Sequence, residues 1–331
     1  MSETKVKIGT HSGTFHSDET LACSLLRILP RYKDAEIVRS RDVAVLADCT
    51  VVVDVGAEFD PARLRFDHHQ ASFSHSFNSL DSSKPWTTKL SGSGLIYFHF
   101  GREIISHVLG RGLDNVTEKV FDKVYENFVQ EIDAIDNGIA THDGVGRYSF
   151  TTDLSSRVAR LRPNWNDEDR DTDPGFYRAM ELTRLEFLER VNYYARVWLP
   201  AREVVKSSLL ERFSVHSSGL VLEFSKGGVP VAEHLFELEE ENNLTGEKRI
   251  LYFICPESST GHWLVVCVPV RARSFDSRLC LPSHWRGLRD QDLERVSGFS
   301  GATFVHPTGF IGGHKTRAGV LEMIEASLKQ L

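Results

Sequence analysis

The 331-residue chain lacks most of what would tie it to a membrane, a disulfide framework or a broad nucleic-acid-binding face. Its five cysteines, at 23, 49, 255, 267 and 280, form no Cys-x-x-Cys pair and leave an odd one over. A thiolate zinc site and a set of disulfides are therefore both unexpected. Most of these cysteines lie inside apolar runs, which suits small buried residues in a reducing compartment. No apolar run is long enough to span a bilayer, and no secretory or Arg-rich leader precedes the first strand pattern. Basic residues are in deficit, with 39 Lys plus Arg against 46 Asp plus Glu and a net charge of −7. That balance excludes grip on nucleic acid through a wide cationic surface and leaves room for a local basic cleft. The expectation is a globular protein of the cytosol or nucleus, long enough for two domains each with its own core.

What is present is a series of strand patterns that end in imidazoles and carboxylates. Lys5 to Gly9 alternates charged and apolar residues, and a loop carrying His11, His16 and Asp18 follows. A helical pattern then places Leu21, Leu25 and Leu29 on one face until Pro30 stops it. Loops at the carboxyl ends of strands in an open α/β sheet collect ligands, so His11, His16 and Asp18 stand in a suitable place. Imidazole and carboxylate donors without thiolate suit Mn²⁺, Fe²⁺ or Zn²⁺. The alternative is that Ser17 or Asp18 caps the helix, with Glu19 favoured by the helix dipole.

Glu36 to Arg39 reads as a second strand and Val43 to Ala47 as a short helix. Thr50 to Val55 is an almost continuous β-branched run, as in a parallel strand buried on both faces. Asp54 at its end is costly unless it is paired or bound to metal. Asp67-His68-His69 follows another apolar-alternating run, and either caps a turn or forms part of a site. Ala71 to Ser93 reads as a long loop. Gly94 to Leu109 and Val116 to Ile135 read as helices, the second with Gly138 beyond its end. Asp136 there is disfavoured by the helix dipole unless a cation compensates, which makes it a ligand candidate with Asp133 as the runner-up.

Read together, Thr10-His11-x-Gly13-Thr14-Phe15-His16-x-Asp18-Glu19, Val53-Asp54-Val55-Gly56, Asp67-His68-His69-Gln70 and Asp136-Asn137-Gly138 resemble the MYG1 family (UPF0160), a branch of the DHH phosphoesterase superfamily. The resemblance runs on through Trp285-Arg286-Gly287-Leu288-Arg289 and Gly309 to Lys315, so it covers nearly the whole chain. It implies an α/β fold: a DHH-type, mainly parallel sheet domain flanked by helices, a smaller mixed α/β substrate domain, and a cleft between them. It also implies a 3′ to 5′ exoribonuclease with two divalent cations, Mn²⁺ favoured over Mg²⁺. Carried over by motif, His11, His16 and Asp54 would hold one cation, and Asp18, Asp54, His68 and Asp136 the other. His69 would face the scissile phosphate, with Asp67 orienting the neighbouring imidazoles. The partner would be a single-stranded RNA 3′ end or a short nucleotide, in a chain free to assemble with copies of itself. A mitochondrial address is compatible by family analogy alone. His16 departs from the wider superfamily, which commonly has Asp there, and a neutral ligand leaves that cation more Lewis acidic.

Residues 1–205 form the expected metal-binding domain, with a helical insertion or linker from about 155, and residues 206–331 the substrate domain. A long helical stretch from Phe176 to about Leu210 should be interrupted at Pro200. Short strand runs then alternate with helices at Val231 to Glu240, Asp290 to Val296 and Thr316 to Leu328. Gly312-Gly313-His314-Lys315 reads as a Gly-rich loop before the last helix, able to bring backbone N–H groups to a phosphate. Arg271, Arg273, Lys315 and Arg317 would supply local positive charge. The same chemistry on oligonucleotides, cyclic dinucleotides or polyphosphate is the alternative function, and a non-enzymatic binding protein that keeps the cleft is another.

Overall fold

Strands and helices alternate through the amino-terminal part of the chain, and the computed structural model, which describes residues 5–330, shows how they are ordered. They run β1 (Lys7–Thr10), α1 (Ser17–Ile28), β2 (Glu36–Arg39), α2 (Val43–Ala47), β3 (Val51–Val53), β4 (Phe59–Asp60), β5 (Arg65–Phe66) and α3 (Phe77–Leu80). Helices α4 (Gly92–Leu109), α5 (Asn115–Val124), α6 (Gln130–Asp136), α7 (Leu154–Ala159) and α8 (Asp173–Tyr193) follow. The strands form one sheet in the order β2-β1-β3-β5-β4. β2, β1, β3 and β5 are parallel and only β4 runs against its neighbour. Val51–Val53 is buried on both faces, as its unbroken β-branched run requires. One face packs Leu46, Cys49 and Val52 together. α1 is buried along most of its length and packs against α4 and α8.

Two helical stretches are broken by π-helical turns. The run expected as one helix over Val116 to Ile135 is α5 and α6 joined by Tyr125–Val129, which keeps Tyr125, Phe128, Val129 and Ile132 in the core. The run expected over Phe176 to Leu210 is interrupted by a π-helical turn at Tyr194–Trp198, and Pro200, which cannot donate a backbone hydrogen bond, stands just beyond it as the second residue of α9 (Leu199–Val215). The chain divides into two compact units, one ending at Arg196 and one beginning at Val197. The sequence reading put that boundary after residue 205, inside α9.

The second unit continues with β6 (Val221–Glu223), α10 (Val231–Glu241), β7 (Tyr252–Pro256), β8 (Trp263–Cys267), α11 (Asp290–Ser297), β9 (Ala302–Val305), β10 (Ile311–His314) and α12 (Arg317–Leu328). Its sheet has the order β6-β7-β8-β10-β9, with β6 and β7 parallel and the other pairs antiparallel. Tyr252, Ile254, Val265, Leu293, Val320 and Ile324 share one core, and Val205, Leu209, Leu222, Leu235 and Leu238 another. Among the described residues, then, the fold is mixed α/β with two five-stranded sheets.

One expectation is overturned here. Gly312 and Gly313 do not form a loop; they lie inside β10, between β8 and β9. A Cβ on Gly313 would come within 2.6 Å of Thr303 Oγ1, so close approach between strands is what the glycines serve. Gly313→Ala is therefore expected to destabilise the protein by about 1–3 kcal/mol through overpacking, read from the denaturant midpoint. An unchanged midpoint would contradict this packing role.

Candidate metal centre

The parallel arrangement of β1, β3 and β5 brings their carboxyl ends to one edge of the first sheet. The residues just beyond those ends are His11, Asp54 and Asp67-His68-His69. The β1–α1 loop and first turn of α1 add His16, Asp18 and Glu19, and the last residue of α6 is Asp136. Asp54 adopts a left-handed backbone with φ of 59°. That conformation costs a side-chain-bearing residue about 1 kcal/mol or more and is concentrated at functional sites. A Cβ on Gly92, in the first turn of α4, would lie 2.9 Å from the Asp54 Cβ and 3.2 Å from Asp18 Oδ2. Only glycine lets α4 approach these two carboxylates so closely.

His11 is set by its own loop: Nδ1 lies 3.3 Å from the Ser12 carbonyl, leaving Nε2 3.1 Å from Glu19 Oε1 and 3.4 Å from Asp54 Oδ2. His68 Nε2 lies 3.1 Å from Asp54 Oδ1 and 3.2 Å from Asp136 Oδ2. These approaches are close in distance but poor in angle, and His68 Nε2 and Asp54 Oδ1 have no hydrogen-bond partner. Both oxygens of Asp18, a fully buried side chain, are also without one. Potential ligand atoms of His16, Asp18 and Asp136 lie within 4.8 Å of one another, as do those of Asp18, Glu19 and Asp54. Buried oxygens that converge without hydrogen bonds fit a cation better than they fit one another. The donor set is nitrogen and oxygen alone, which suits a borderline or hard divalent ion.

The electrostatics follow from this crowding. Burial opposes charge on His11, but the Asp54 and Glu19 carboxylates outweigh it and push its pKa up to about 10. Burial likewise opposes charge on His68, and Asp136 and Asp54 prevail to raise it to about 9. Burial would raise Asp54, yet the His11 and His68 imidazoles hold it below the ordinary carboxylate range. Asp18 is pushed up by burial first and then by Asp54, Asp136 and Glu19. Asp67 Oδ1 accepts from His69 Nδ1 at 2.6 Å and from the His68 N–H at 2.8 Å, while its Oδ2 accepts from the Ala57 N–H at 2.5 Å. The bond from Asp67 to the His69 ring, against a smaller effect of burial, raises the pKa of His69.

The six residues expected as ligands, His11, His16, Asp18, Asp54, His68 and Asp136, thus meet at one place with Asp67 and His69 beside them. Asp133, the runner-up to Asp136, does not: it is buried and accepts from Ser91 N–H, Ser91 Oγ and the Tyr125 hydroxyl. Burial raises it to about 7 despite those donors. Asp18 is not the helix cap; His16 is the N-cap residue, and its N–H donates to both oxygens of Glu19 at 2.8 and 2.9 Å. Glu19 is the residue that sequence reasoning missed. Its position three residues after the cap was a legible capping-box signal, but its contact with His11 was not.

The stretch read as a linker from about 155 also reaches the centre. Ser155 Oγ meets Ser17 Oγ at 2.7 Å, and Arg162 Nε donates to the Phe15 carbonyl at 2.6 Å. In the second unit, His314 is buried, with Nε2 3.0 Å from the Ser300 carbonyl and Nδ1 accepting from the Thr316 N–H at 3.0 Å. Arg317 pairs with Glu223 and Arg273 stands 3.9 Å from Glu233, whereas Lys315 and Arg271 are exposed. All five cysteines are free thiols, and no described helix is long and apolar enough to cross a membrane.

Comparison with known proteins gives consistent relatives. The profile of an uncharacterised protein family, UPF0160 (MYG1_exonuc), matches residues 7–328. Proteins named MYG1 exonuclease from Mus musculus and Homo sapiens are each 53% identical over 326 residues, covering 98% of this chain and 85% and 86% of their own lengths. MYG1 protein C27H6.8 of Caenorhabditis elegans is 43% identical over 324 residues, 97% of this chain and 95% of its own. RecJ from Thermus thermophilus, solved in complex with Mn²⁺, aligns over 98% of this chain and 52% of its own at 11% identity. Its TM-score of 0.25 is too low to bear on fold or function.

The raised imidazole pKa values fix the sign of a pH dependence. The folded metal-free protein holds protons on His11 and His68 that the unfolded chain releases above about 6.5. Stability from these groups is therefore fully present below about pH 6.5 and lost as pH rises through about 9 to 10. Denaturant unfolding of chelator-treated protein should show this decline; stability constant or rising between pH 6.5 and 10 would contradict the paired-imidazole geometry.

Proposed function

This chain belongs to the MYG1 family (UPF0160), and on that premise we propose that it is a metal-dependent phosphodiesterase of DHH type, working as a 3′ to 5′ exoribonuclease of the cytosol or nucleus. The observation that carries the proposal is the convergence of unpartnered buried oxygens from Asp18 and Asp54 beside His68. The name exonuclease of relatives at 53% identity supports a nucleic-acid substrate. The RNA preference and the direction of digestion rest on the family resemblance.

On this reading His11, His16 and Asp54 would hold one divalent cation and Asp18, Asp54, His68 and Asp136 a second, and Mn²⁺ would be favoured over Mg²⁺. When bound, such cations supply positive charge to phosphoryl oxygens and acidify water. The chain's own residues do the rest. Glu19 braces both histidines of the first set, through the N–H of His16 and the ring of His11. Asp67 fixes the proton of His69 on Nδ1 and leaves Nε2 free. With its pKa raised, His69 can meet a phosphoryl oxygen as a hydrogen-bond donor and return a proton to the departing oxygen. Lys315, exposed at the end of β10, and Arg271 are the members of the expected substrate set open to phosphate.

Asp54→Asn keeps a residue that tolerates a left-handed backbone and removes the shared charge. It should abolish RNA hydrolysis under Mn²⁺ or Mg²⁺ while leaving the circular dichroism spectrum unchanged. His69→Asn should lower kcat by about 10²- to 10⁴-fold without loss of bound metal. Nuclease activity retained by Asp54→Asn would overturn the mechanism, and digestion of RNA with either end blocked would test the direction.

A further inference from the structure

The cavity over the centre has a volume of about 1030 Å³, far more than two cations fill and at the upper end of what small-ligand sites offer. Its lining holds two kinds of residue that the chemistry above does not use. The first is cationic. Arg162 is held at Nε by the Phe15 carbonyl, beside the loop that carries His16. Its terminal amino groups make no hydrogen bond among the described residues. Lys89 comes from another direction: its carbonyl accepts from Asn137 Nδ2 at 3.0 Å, next to Asp136. Its ammonium stands 5.7 Å from the centre of the Phe73 ring and has no carboxylate partner among the described residues. Arg162 is thus held at one guanidinium nitrogen, with its guanidinium 5.9 Å from the centre of the Phe15 ring and both amino groups open to an anion, and Lys89 is anchored through its backbone with an ammonium that no carboxylate neutralises. Arg41 also lines the cavity but is exposed and has no such anchor.

The second kind is apolar. Val43, the first residue of α2, is 76% exposed and Ile135, next to Asp136, is 42% exposed, and both line this same cavity. Single exposed aliphatics need no explanation, but two on the wall of one polar cavity offer an apolar surface to whatever enters. Inorganic polyphosphate would leave both unused, whereas a nucleoside would cover them.

We propose that this cavity is a nucleotide site within the first unit: Arg162 and Lys89 bind phosphate oxygens, and Val43 and Ile135 form the face on which the nucleoside rests. The proposal deepens the phosphodiesterase reading and rests on it for the place of the scissile bond, though not for binding itself. A guanidinium held at Nε presents its two amino groups in a set direction and so orients a phosphate, while the Lys89 ammonium adds attraction. The apolar wall makes the site selective for nucleotides over other phosphorylated compounds.

The test is equilibrium binding to the full chain, with and without Mn²⁺, of adenosine 5′-monophosphate and ribose 5-phosphate. The wild type should bind the nucleotide at least about fivefold more tightly than the sugar phosphate, from the apolar area the base covers. Joint replacement Val43→Ser and Ile135→Ser should erase that advantage and leave ribose 5-phosphate binding unchanged. Arg162→Ala and Lys89→Ala should each weaken both ligands by about tenfold or more, with Arg162→Lys falling between. Melting curves of each variant separate lost binding from lost folding. Equal affinity of the wild type for the two ligands, or full nucleotide affinity in both folded alanine variants, would overturn the proposal. Nucleotide binding that follows this pattern in a protein unable to cleave RNA would remove the phosphodiesterase reading and leave the site standing, so the two failures are distinguishable.

Discussion

Like charges held together out of water are the constraint on which the rest of the first unit depends. Asp18, Glu19 and Asp54 are buried, and each offers a ligand atom within 4.8 Å of the others. Carboxylates so placed repel one another and lose their hydration, and they persist only where cations compensate. In the protein alone the compensation falls to His11 and His68, whose imidazoles are driven toward the protonated state. It is incomplete, because Asp18 remains disfavoured as an ion. Divalent cations would complete it, which is the physical reason to expect metal here. The other local features serve the same crowding: a left-handed Asp54, a glycine at 92 where α4 meets the carboxylates, and three parallel strands that end on one edge.

Much of the centre was legible because strands in a parallel sheet deliver their carboxyl-terminal neighbours to a common edge. A reader of the sequence needed only to see that His11, Asp54 and His68 each follow a strand pattern. Asp136 was legible for a different reason, since a carboxylate at a helix C-terminus opposes the dipole. Asp133 and Asp136 could not be separated by pattern alone. The π-helical turn at Tyr125–Val129 shifts the phase and lets the Tyr125 hydroxyl bond to Asp133, and periodicity does not show such a turn. Glu19 was hidden by an adequate local explanation, the first-turn dipole, which concealed its contact with His11.

The Gly312-Gly313 pair shows the opposite failure. Glycines before a helix fit a phosphate loop and an interior strand equally well from sequence, and the deciding quantity is how close Thr303 and Phe304 come. With His314 engaged at both ring nitrogens, the second unit offers Lys315 and Arg271 rather than a backbone cradle. Arg162 moved the other way. It falls in the stretch read as a helical insertion or linker, yet the fold sets it against the β1–α1 loop that carries His11 and His16. Phosphate-facing charge is thus legible as composition but not as position, since arginines act where their anchors put them.

The central claim is that these residues form one site for divalent cations. Diffraction from crystals soaked in Mn²⁺, recorded at the manganese absorption edge, tests it most directly. The account predicts two anomalous peaks in the cavity of the first unit, both within ligand distance of Asp54. No peak among His11, His16, Asp18, Asp54, His68 and Asp136 at millimolar Mn²⁺, or manganese bound only elsewhere on the chain, would contradict it.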